Sequence, residues 1–231
     1  EEEGFLLKDF VPKDAVEDAH LIVQNIERGG RFSGIQTQRL TKSGDRIEVS
    51  ISGAPFFDRS GRPRGTVITY QDITERKRTE QEIGYIAYHD VLTGLPNRKS
   101  FYERIEEVLN QSPRRDGATG WALLFLDLDK FKYVNDTLGH TIGDELLKAV
   151  AAQLQASVRK SDYVFRLGGD EFLVVLPGAD YDALQAVYRR IAEQNYLAGA
   201  NDDAVSVSAS CGGVYVPAGS SATPAAVLAQ A

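Results

Sequence analysis

The residues with the most chemistry in this chain are acids placed at the ends of apolar runs. Leu123-Leu124-Phe125-Leu126 leads into Asp127-Leu128-Asp129, and further on the chain reads Gly168-Gly169-Asp170-Glu171. A strand of Leu and Phe that terminates in acids puts those acids at a sheet edge, beside the core. Glycines at a hairpin tip permit positive φ and let a ligand approach the backbone closely. If the two strands are neighbours, Asp127 and Asp170 converge, and two carboxylates at close range repel unless a cation lies between them. Hard oxygen ligands of this kind suit Mg²⁺, which brings phosphate oxygens and water to complete its octahedron. Lys130, Lys132, Asn135 and Asp144 lie close by in sequence. Lysines beside paired acids can neutralise phosphates, and Asn135 with Asp144 offers donors and acceptors suited to a guanine edge. Each residue also has an ordinary reading. A single Asp is commonly a turn residue or a helix cap, and the Gly-Gly-Asp-Glu hairpin alone is an ordinary type I′ turn. The lysines alone are surface ion-pair partners, and Asp144 alone is an acid at the start of a helix, favoured by its dipole.

The elements that must position these residues fall into two groups. Residues 1–73 read as strand-rich. Runs at 34–40 and 46–55 carry β-branched residues in alternation (Ile47, Val49, Ile51), with a turn at 42–45 between them. A second turn at 58–63 leads into 65–70, which completes an antiparallel meander. Apolar spacing predicts a short helix before it, over about residues 14–28. The segment 74–82, TERKRTEQE, is charged and free of proline, with Ile73, Ile83 and Ile86 as its few apolar anchors. It reads either as a solvated linker helix or as a short two-stranded coiled coil joining two domains. From about Tyr88 helix and strand alternate. Helices are expected around Phe101–Leu109, Leu147–Val158 and Leu184–Ile191, and Asp144 is expected to open the second of them. Strands are expected at 122–128, 163–167, 171–176 and 205–216. This order implies an α+β fold with helices packed on a mostly antiparallel sheet.

The chain has 231 residues, long enough for two small domains, and a net charge of −7. That acidity argues against a protein that coats nucleic-acid polymers, while a single nucleotide held through a metal ion remains open. Cys211 is the only cysteine, which excludes an intrachain disulfide and cysteine-pair zinc sites and fits a reducing, cytoplasmic compartment. The longest apolar run, Trp121 to Leu126, is far short of the ~20 residues that span a bilayer. The chain begins Glu1-Glu2-Glu3 and contains no Met, so it reads as a piece of a longer protein, whose membrane anchoring stays open.

Gly168-Gly169-Asp170-Glu171-Phe172 resembles the signature of the GGDEF domain, the diguanylate cyclase family. The resemblance extends through His89-Asp90-Val91-Leu92-Thr93-Gly94-Leu95-Pro96-Asn97-Arg98, Asp127-Leu128-Asp129-Lys130-Phe131-Lys132, Asn135-Asp136-Thr137-Leu138-Gly139-His140 and Gly143-Asp144, in order. It implies a fold similar to the palm of nucleotide cyclases and polymerases. It implies that two GTP are joined into cyclic di-GMP with release of two pyrophosphates, a bacterial second-messenger reaction catalysed by two facing domains and hence by a homodimer. By the same resemblance Asp127 and Asp170 bind Mg²⁺ or Mn²⁺, two ions in each half-site, with the Leu128 carbonyl contributing. Glu171 sits at the second ion or helps deprotonate the attacking hydroxyl. Asn135 and Asp144 recognise guanine, Phe131 and Lys132 lie along the phosphates, and Gly168 and Gly169 leave room for GTP. Arg159-Lys160-Ser161-Asp162 fits the family's RxxD inhibitory motif, so Arg159 and Asp162 form a cyclic di-GMP product site.

Residues 1–73 resemble the later part of a PAS sensor domain with its PAC segment, most clearly at Tyr70-Gln71-Asp72-Ile73-Thr74-Glu75-Arg76-Lys77. The sensed ligand is unknown, and a cysteinyl-flavin photosensor is disfavoured because this part has no cysteine. The expected organisation is a sensor domain at 1–73 lacking its beginning, a linker helix at 74–88 and a GGDEF domain at 89–231 lacking its end. The Lys and Arg that usually touch the triphosphate on the last helix do not appear. The wording of the motifs is similar to GGDEF domains that precede an EAL phosphodiesterase domain. The alternative function is therefore a non-catalytic module that binds GTP or cyclic di-GMP and controls a neighbouring domain, an EAL domain among the candidates.

Overall fold

The computed structural model describes residues 10–28, 30–111, 120–198 and 205–228. The chain divides into two compact units, 1–83 and 84–231. In the first, a 3₁₀ turn (Lys13–Ala15) and helix α1 (Val16–Glu27) precede β1 (Phe32–Leu40), β2 (Arg46–Phe57) and β3 (Pro63–Asp72). The strands form an antiparallel sheet in the order β1-β2-β3. They run longer than the β-branched alternation suggests, because backbone pairing continues to the turns: Phe57 pairs with Pro63 and Val49 with Asp72. Val49 and Ile51 are buried with Ile22 of α1, so alternation along β2 sends one face to a small core.

Helix α2 (Thr74–Tyr88) starts from this sheet. The Ile73 amide donates to the Glu48 carbonyl, the Glu48 amide donates to the Thr74 hydroxyl, and Lys77 Nζ lies 2.9 Å from the Glu48 carboxylate. Hydrogen bonds from Lys77 and Gln38 hold the Glu48 carboxyl below its ordinary value. Of the three expected apolar anchors only Ile73 is buried; Ile83 and Ile86 are exposed.

The second unit contains α3 (Arg98–Gln111), β4 (Trp121–Leu128), α4 (Phe131–Leu138), α5 (His140–Ser157), β5 (Tyr163–Gly168) and β6 (Glu171–Pro177), followed by α6 (Tyr181–Ala192), β7 (Tyr196–Ala198), β8 (Val205–Val207), β9 (Ala209–Val216) and α7 (Pro224–Leu228). Its main sheet has the order β5-β6-β4-β9, with every neighbouring pair antiparallel. The strands β4 and β6 are apolar at nearly every position because both sheet faces are covered. Leu123, Leu173 and Val175 pack against Phe101 and Ile105 of α3. Leu124, Leu126, Phe172 and Val174 pack against Phe131, Leu147, Leu154 and Ile191 on the other side. The Asp180 carboxylate caps α6 by accepting the Ala183 amide, a contact worth about 1 kcal/mol.

Three expectations are corrected. The strand expected at 205–216 is two strands in two sheets, since β8 pairs with β7 and β9 with β4. The break falls at Ser208, whose carbonyl accepts the Asp129 amide and whose hydroxyl donates to the Asp129 carboxylate. A separate helix, α4, occupies 131–138. Helix α5 starts at His140, so Asp144 lies in its second turn and does not open it. Among the described residues no helix is long and apolar enough to cross a membrane.

Candidate active site

The pairing of β4 with β6 sets Asp127 directly opposite Glu171, and Asp170 is the residue before it in the β5–β6 turn. Alternation along each strand puts Asp127 in one row with Leu123 and Phe125, and Glu171 in one row with Leu173 and Val175. Both acids thus continue the face that α3 covers, at the end where the apolar rows stop. Burial, then the charges of Asp170, Glu171 and Asp129, hold the Asp127 carboxyl above its ordinary 3.8. The strand ends that carry Asp127 and Glu171 are thus neighbours, as a convergence of Asp127 with Asp170 requires.

Asp129, Glu171 and Asp127 differ in their surroundings. Asp129 accepts the hydroxyls of Ser208 and Ser210 at 2.5 and 2.6 Å, which lowers its carboxyl and ties the end of β4 to the start of β9. Glu171 meets Arg98 of α3, with Nη2 3.0 Å from Oε2. This ion pair is solvent-exposed and worth well under ~1 kcal/mol, so its role is geometric rather than stabilising. Asp127 keeps the repulsion.

The turn at 168–171 is not the ordinary type I′ turn that the hairpin alone would suggest. That type needs positive φ at both central residues. Gly169 has φ +54° and Gly168 +147°, whereas Asp170 is absent from the positive-φ residues. Both glycines are exposed, with open space where a Cβ would stand.

Between the acids and α4 the chain passes through Lys130, whose φ of +60° and ψ of +22° make it the one non-glycine with positive φ among the described residues. A lysine in that region is strained, and such strain concentrates at functional sites. No side chain caps α4, so the amides of its first turn are left for an anion. Lys132 is exposed beside them, while the Phe131 ring is buried and the Leu128 side chain is almost wholly so. Neither the Phe131 nor the Leu128 side chain is therefore open to a ligand.

The packing of α4 on α5 sets Asn135 against Gly143, the residue before Asp144. A Cβ at Gly143 would clash with Asn135 Oδ1, so glycine there is what lets the Asn135 amide lie against α5. Arg159 and Asp162 stand apart from these groups. They close the turn between α5 and β5, where the Arg159 amide donates to Asp162 Oδ2 at 2.8 Å and the Asp162 amide to the Arg159 carbonyl at 3.0 Å. The strand β5 separates this turn from Gly168, roughly 15–20 Å at ~3.3 Å per residue.

Two residues that sequence reasoning left unassigned hold the hairpin. Arg98 reaches Glu171 and the Leu167 carbonyl, and Arg166 is buried within β5. The signal for Arg166 was an arginine inside an otherwise apolar strand, where a buried charge needs partners.

The acids fit a divalent cation. Their donors are hard carboxylate oxygens, and a cation would offset both the burial and the neighbouring charges that hold the Asp127 carboxyl up. No cluster of three or more His, Cys, Asp or Glu arranged as a metal cage occurs among the described residues. Mg²⁺ is commonly held without one, through one or two carboxylates plus substrate phosphates and water.

The family model described as diguanylate cyclase, GGDEF domain, matches residues 87–231. The chain belongs to the GGDEF diguanylate cyclase family. That is an enzyme family of nucleotidyltransferases, generally metal-dependent. A PAS fold model matches residues 3–78. Among curated proteins the chain is similar to the probable diguanylate cyclase DgcE of Escherichia coli, 37% identical over 153 residues, which is 65% of this chain and 13% of that protein. It is 45% identical over 111 residues to the diguanylate cyclase DgcM of the same species, 48% of this chain and 27% of that protein. The chain thus spans roughly an eighth to a quarter of these relatives. Among solved structures it resembles the diguanylate cyclase SiaD of Pseudomonas aeruginosa, crystallised with its activator SiaC. That match has a TM-score of 0.52 and 31% identity, covering 68% of this chain and 59% of that one.

Proposed function

We propose that this chain condenses two GTP into cyclic di-GMP and two pyrophosphates, with residues 89–231 as the cyclase domain, 74–88 as linker helix and 1–73 as the regulating PAS domain. The observation that supports the reading is the pairing that sets Asp127 opposite Glu171, next to Asp170, where burial and then the neighbouring acids hold the Asp127 carboxyl up. Asp127 and Asp170, with the Leu128 carbonyl, hold Mg²⁺ or Mn²⁺. The bound ion supplies charge neutralisation and alignment and lowers the pKa of the attacking hydroxyl. Asn135 and Asp144 read the guanine edge. The first-turn amides of α4 and the Lys132 ammonium hold phosphate oxygens, and Gly168 and Gly169 leave the face of the turn open.

The 3′-hydroxyl of one GTP attacks the α-phosphorus of the other. One P–O bond forms as the bond to pyrophosphate breaks, and the hydroxyl proton passes to Glu171 or to water. The same step in the opposite sense closes the ring. Each domain holds one GTP, so two domains must face each other in a two-fold homodimer. Arg159 and Asp162 take the product, Arg159 pairing with a phosphate. A cytoplasmic setting, which supplies GTP and keeps a lone cysteine reduced, fits this reading. Incubation of the chain with GTP and Mg²⁺ should yield cyclic di-GMP, and Asp170→Ala should abolish it. Full turnover by Asp170→Ala would overturn the metal assignment, and GTP binding without product would favour the regulatory-module reading instead.

A further inference from the structure

Arg166 is 9% exposed, in a strand whose other inward residues are apolar. Its guanidinium satisfies two separate segments. Nε and Nη2 both donate to the Gly169 carbonyl, at 3.0 and 2.7 Å, and Nη1 donates to Asp90 Oδ1 at 2.8 Å. Gly169 is the residue before Asp170, so this fork fixes the peptide from which the Asp170 side chain departs. The same Asp90 oxygen accepts the Thr93 amide and hydroxyl at 2.9 and 2.7 Å, and the Asp90 backbone closes the 90–95 loop through Leu95 and Gly94. Burial alone would raise the Asp90 carboxyl, but the bonds from Thr93 and Arg166 outweigh it and hold it below 3.8.

The loop that begins at Asp90 is also the place where α2 ends. Asn97 Nδ2 faces the carbonyls of Ile86, Ala87 and His89 at 3.3, 3.1 and 3.4 Å, and the Asn97 amide donates to the Tyr88 carbonyl. The carbonyls of Ile86, Ala87 and Tyr88 are the last of the helix and have no partner within it, and His89 follows directly. Asn97 also bridges to Arg166 through the backbone, with the Arg166 amide on the Pro96 carbonyl at 3.0 Å. The next residue, Arg98, holds the Leu167 carbonyl and Glu171. One hydrogen-bonded set thus includes the end of α2, the 90–98 loop and both residues at the tip of the hairpin.

We propose that Arg166 is the positioning residue of the cyclase site, clamping the Gly169 carbonyl so that Asp170 faces Asp127, and that Asp90 and Asn97 make this clamp depend on the C-terminal end of α2. The inference rests on the metal-site reading of Asp127 and Asp170. It gives a physical meaning to regulation: a displacement of α2 reaches the carboxylates through Asn97, the 90–98 loop and Arg166, without touching GTP.

The test uses the whole chain with Mn²⁺ as probe and 3′-deoxy-GTP, which lacks the attacking hydroxyl. Free Mn²⁺ is read by electron paramagnetic resonance, and amide hydrogen exchange is read in the metal-free protein. Arg166→Gln is expected to weaken Mn²⁺ by roughly 10–100-fold, as the loss of a residue supporting metal ligands does. It should also speed exchange across 168–172. Asp90→Asn keeps an acceptor for Thr93 and loses only the charge; it should give an intermediate loss and serves if Arg166→Gln does not fold. Asn97→Ala should speed exchange at both 85–89 and 168–172 and weaken Mn²⁺ less than Arg166→Gln does. Wild-type Mn²⁺ affinity and wild-type turn exchange in Arg166→Gln, or in Asp90→Asn if that variant has to stand in, would overturn the clamp. Faster exchange at 85–89 in Asn97→Ala with 168–172 unchanged would overturn the dependence on α2. A wild-type chain that binds no Mn²⁺ would sink the functional reading alone, since the exchange comparison decides the clamp without metal.

Discussion

At the scale of single residues, the site trades stability for charge. Asp127 is held above its ordinary 3.8 by burial and by three neighbouring acids. In the window between 3.8 and that raised value the folded protein binds more protons than the unfolded one. By linkage the contribution of Asp127 to stability then declines as pH rises through the window, and it remains unfavourable above it. Asp127→Asn removes this cost and the cation ligand together. The metal-free variant should therefore melt at or above the wild-type temperature near pH 7, with the difference in its favour shrinking as pH falls toward about 4. It should lose cyclic di-GMP synthesis and any rise in melting temperature produced by Mg²⁺ with 3′-deoxy-GTP. Thermal unfolding followed across pH checks this, and a variant less stable than wild type at neutral pH would count against the repulsion. Asp129 shows why the neighbouring acids are not equivalent: two serine hydroxyls occupy its oxygens, so it is a fastening rather than a free ligand.

At the scale of elements, the sequence carried what periodicity can carry. The meander, the apolar strands β4 and β6 and the helices α5 and α6 follow from alternation and from apolar spacing, because burial imposes those periods. What escaped depends on contacts between distant residues. The split at Ser208 is made by Asp129, nearly 80 positions away, and the run of alternating residues around it gives no sign of a change of sheet. Helix α4 is only eight residues long, too short for a helical period to show. The acids at 127, 170 and 171 stood out in the sequence because they flank apolar strands, 127 near the end of β4 and 170–171 at the start of β6. Arg98 and Arg166 were not assigned because nothing local states which carbonyl an arginine will meet. The product site proposed at the Arg159 turn belongs to the same scale. Asp162 is already spent on the Arg159 amide, so the exposed Arg159 side chain is the part free to meet a phosphate. With β5 standing between this turn and the 168–171 hairpin proposed to be catalytic, Arg159→Ala should relieve inhibition by added cyclic di-GMP about tenfold or more while the initial rate without product stays at the wild-type level. Initial rates measured over a range of product concentrations decide it; unchanged inhibition removes the product site from this turn.

At the scale of the whole molecule, α2 is the element that no core explains. It buries none of its own residues, yet Glu48 fastens its start and Asn97 its end. Ile83 and Ile86 are three positions apart, hence on one face, and are 63% and 53% exposed. A helix secured at both ends, with a charged first half and Ile83, Tyr85 and Ile86 exposed in its second, suits pairing with the same helix of a second copy, as the proposed reaction between two domains would need. Replacing both residues, Ile83→Glu with Ile86→Glu, should leave the stability of the single chain within about 0.5 kcal/mol, as exposed substitutions do. GTP binding per chain should also be unchanged. Sedimentation should shift toward monomer, and cyclic di-GMP synthesis should fall and become steeply dependent on protein concentration, because the productive encounter is then between two separate chains. A variant that remains dimeric would take the interface away from α2. A monomeric variant with full turnover at every concentration would remove the need for two domains altogether.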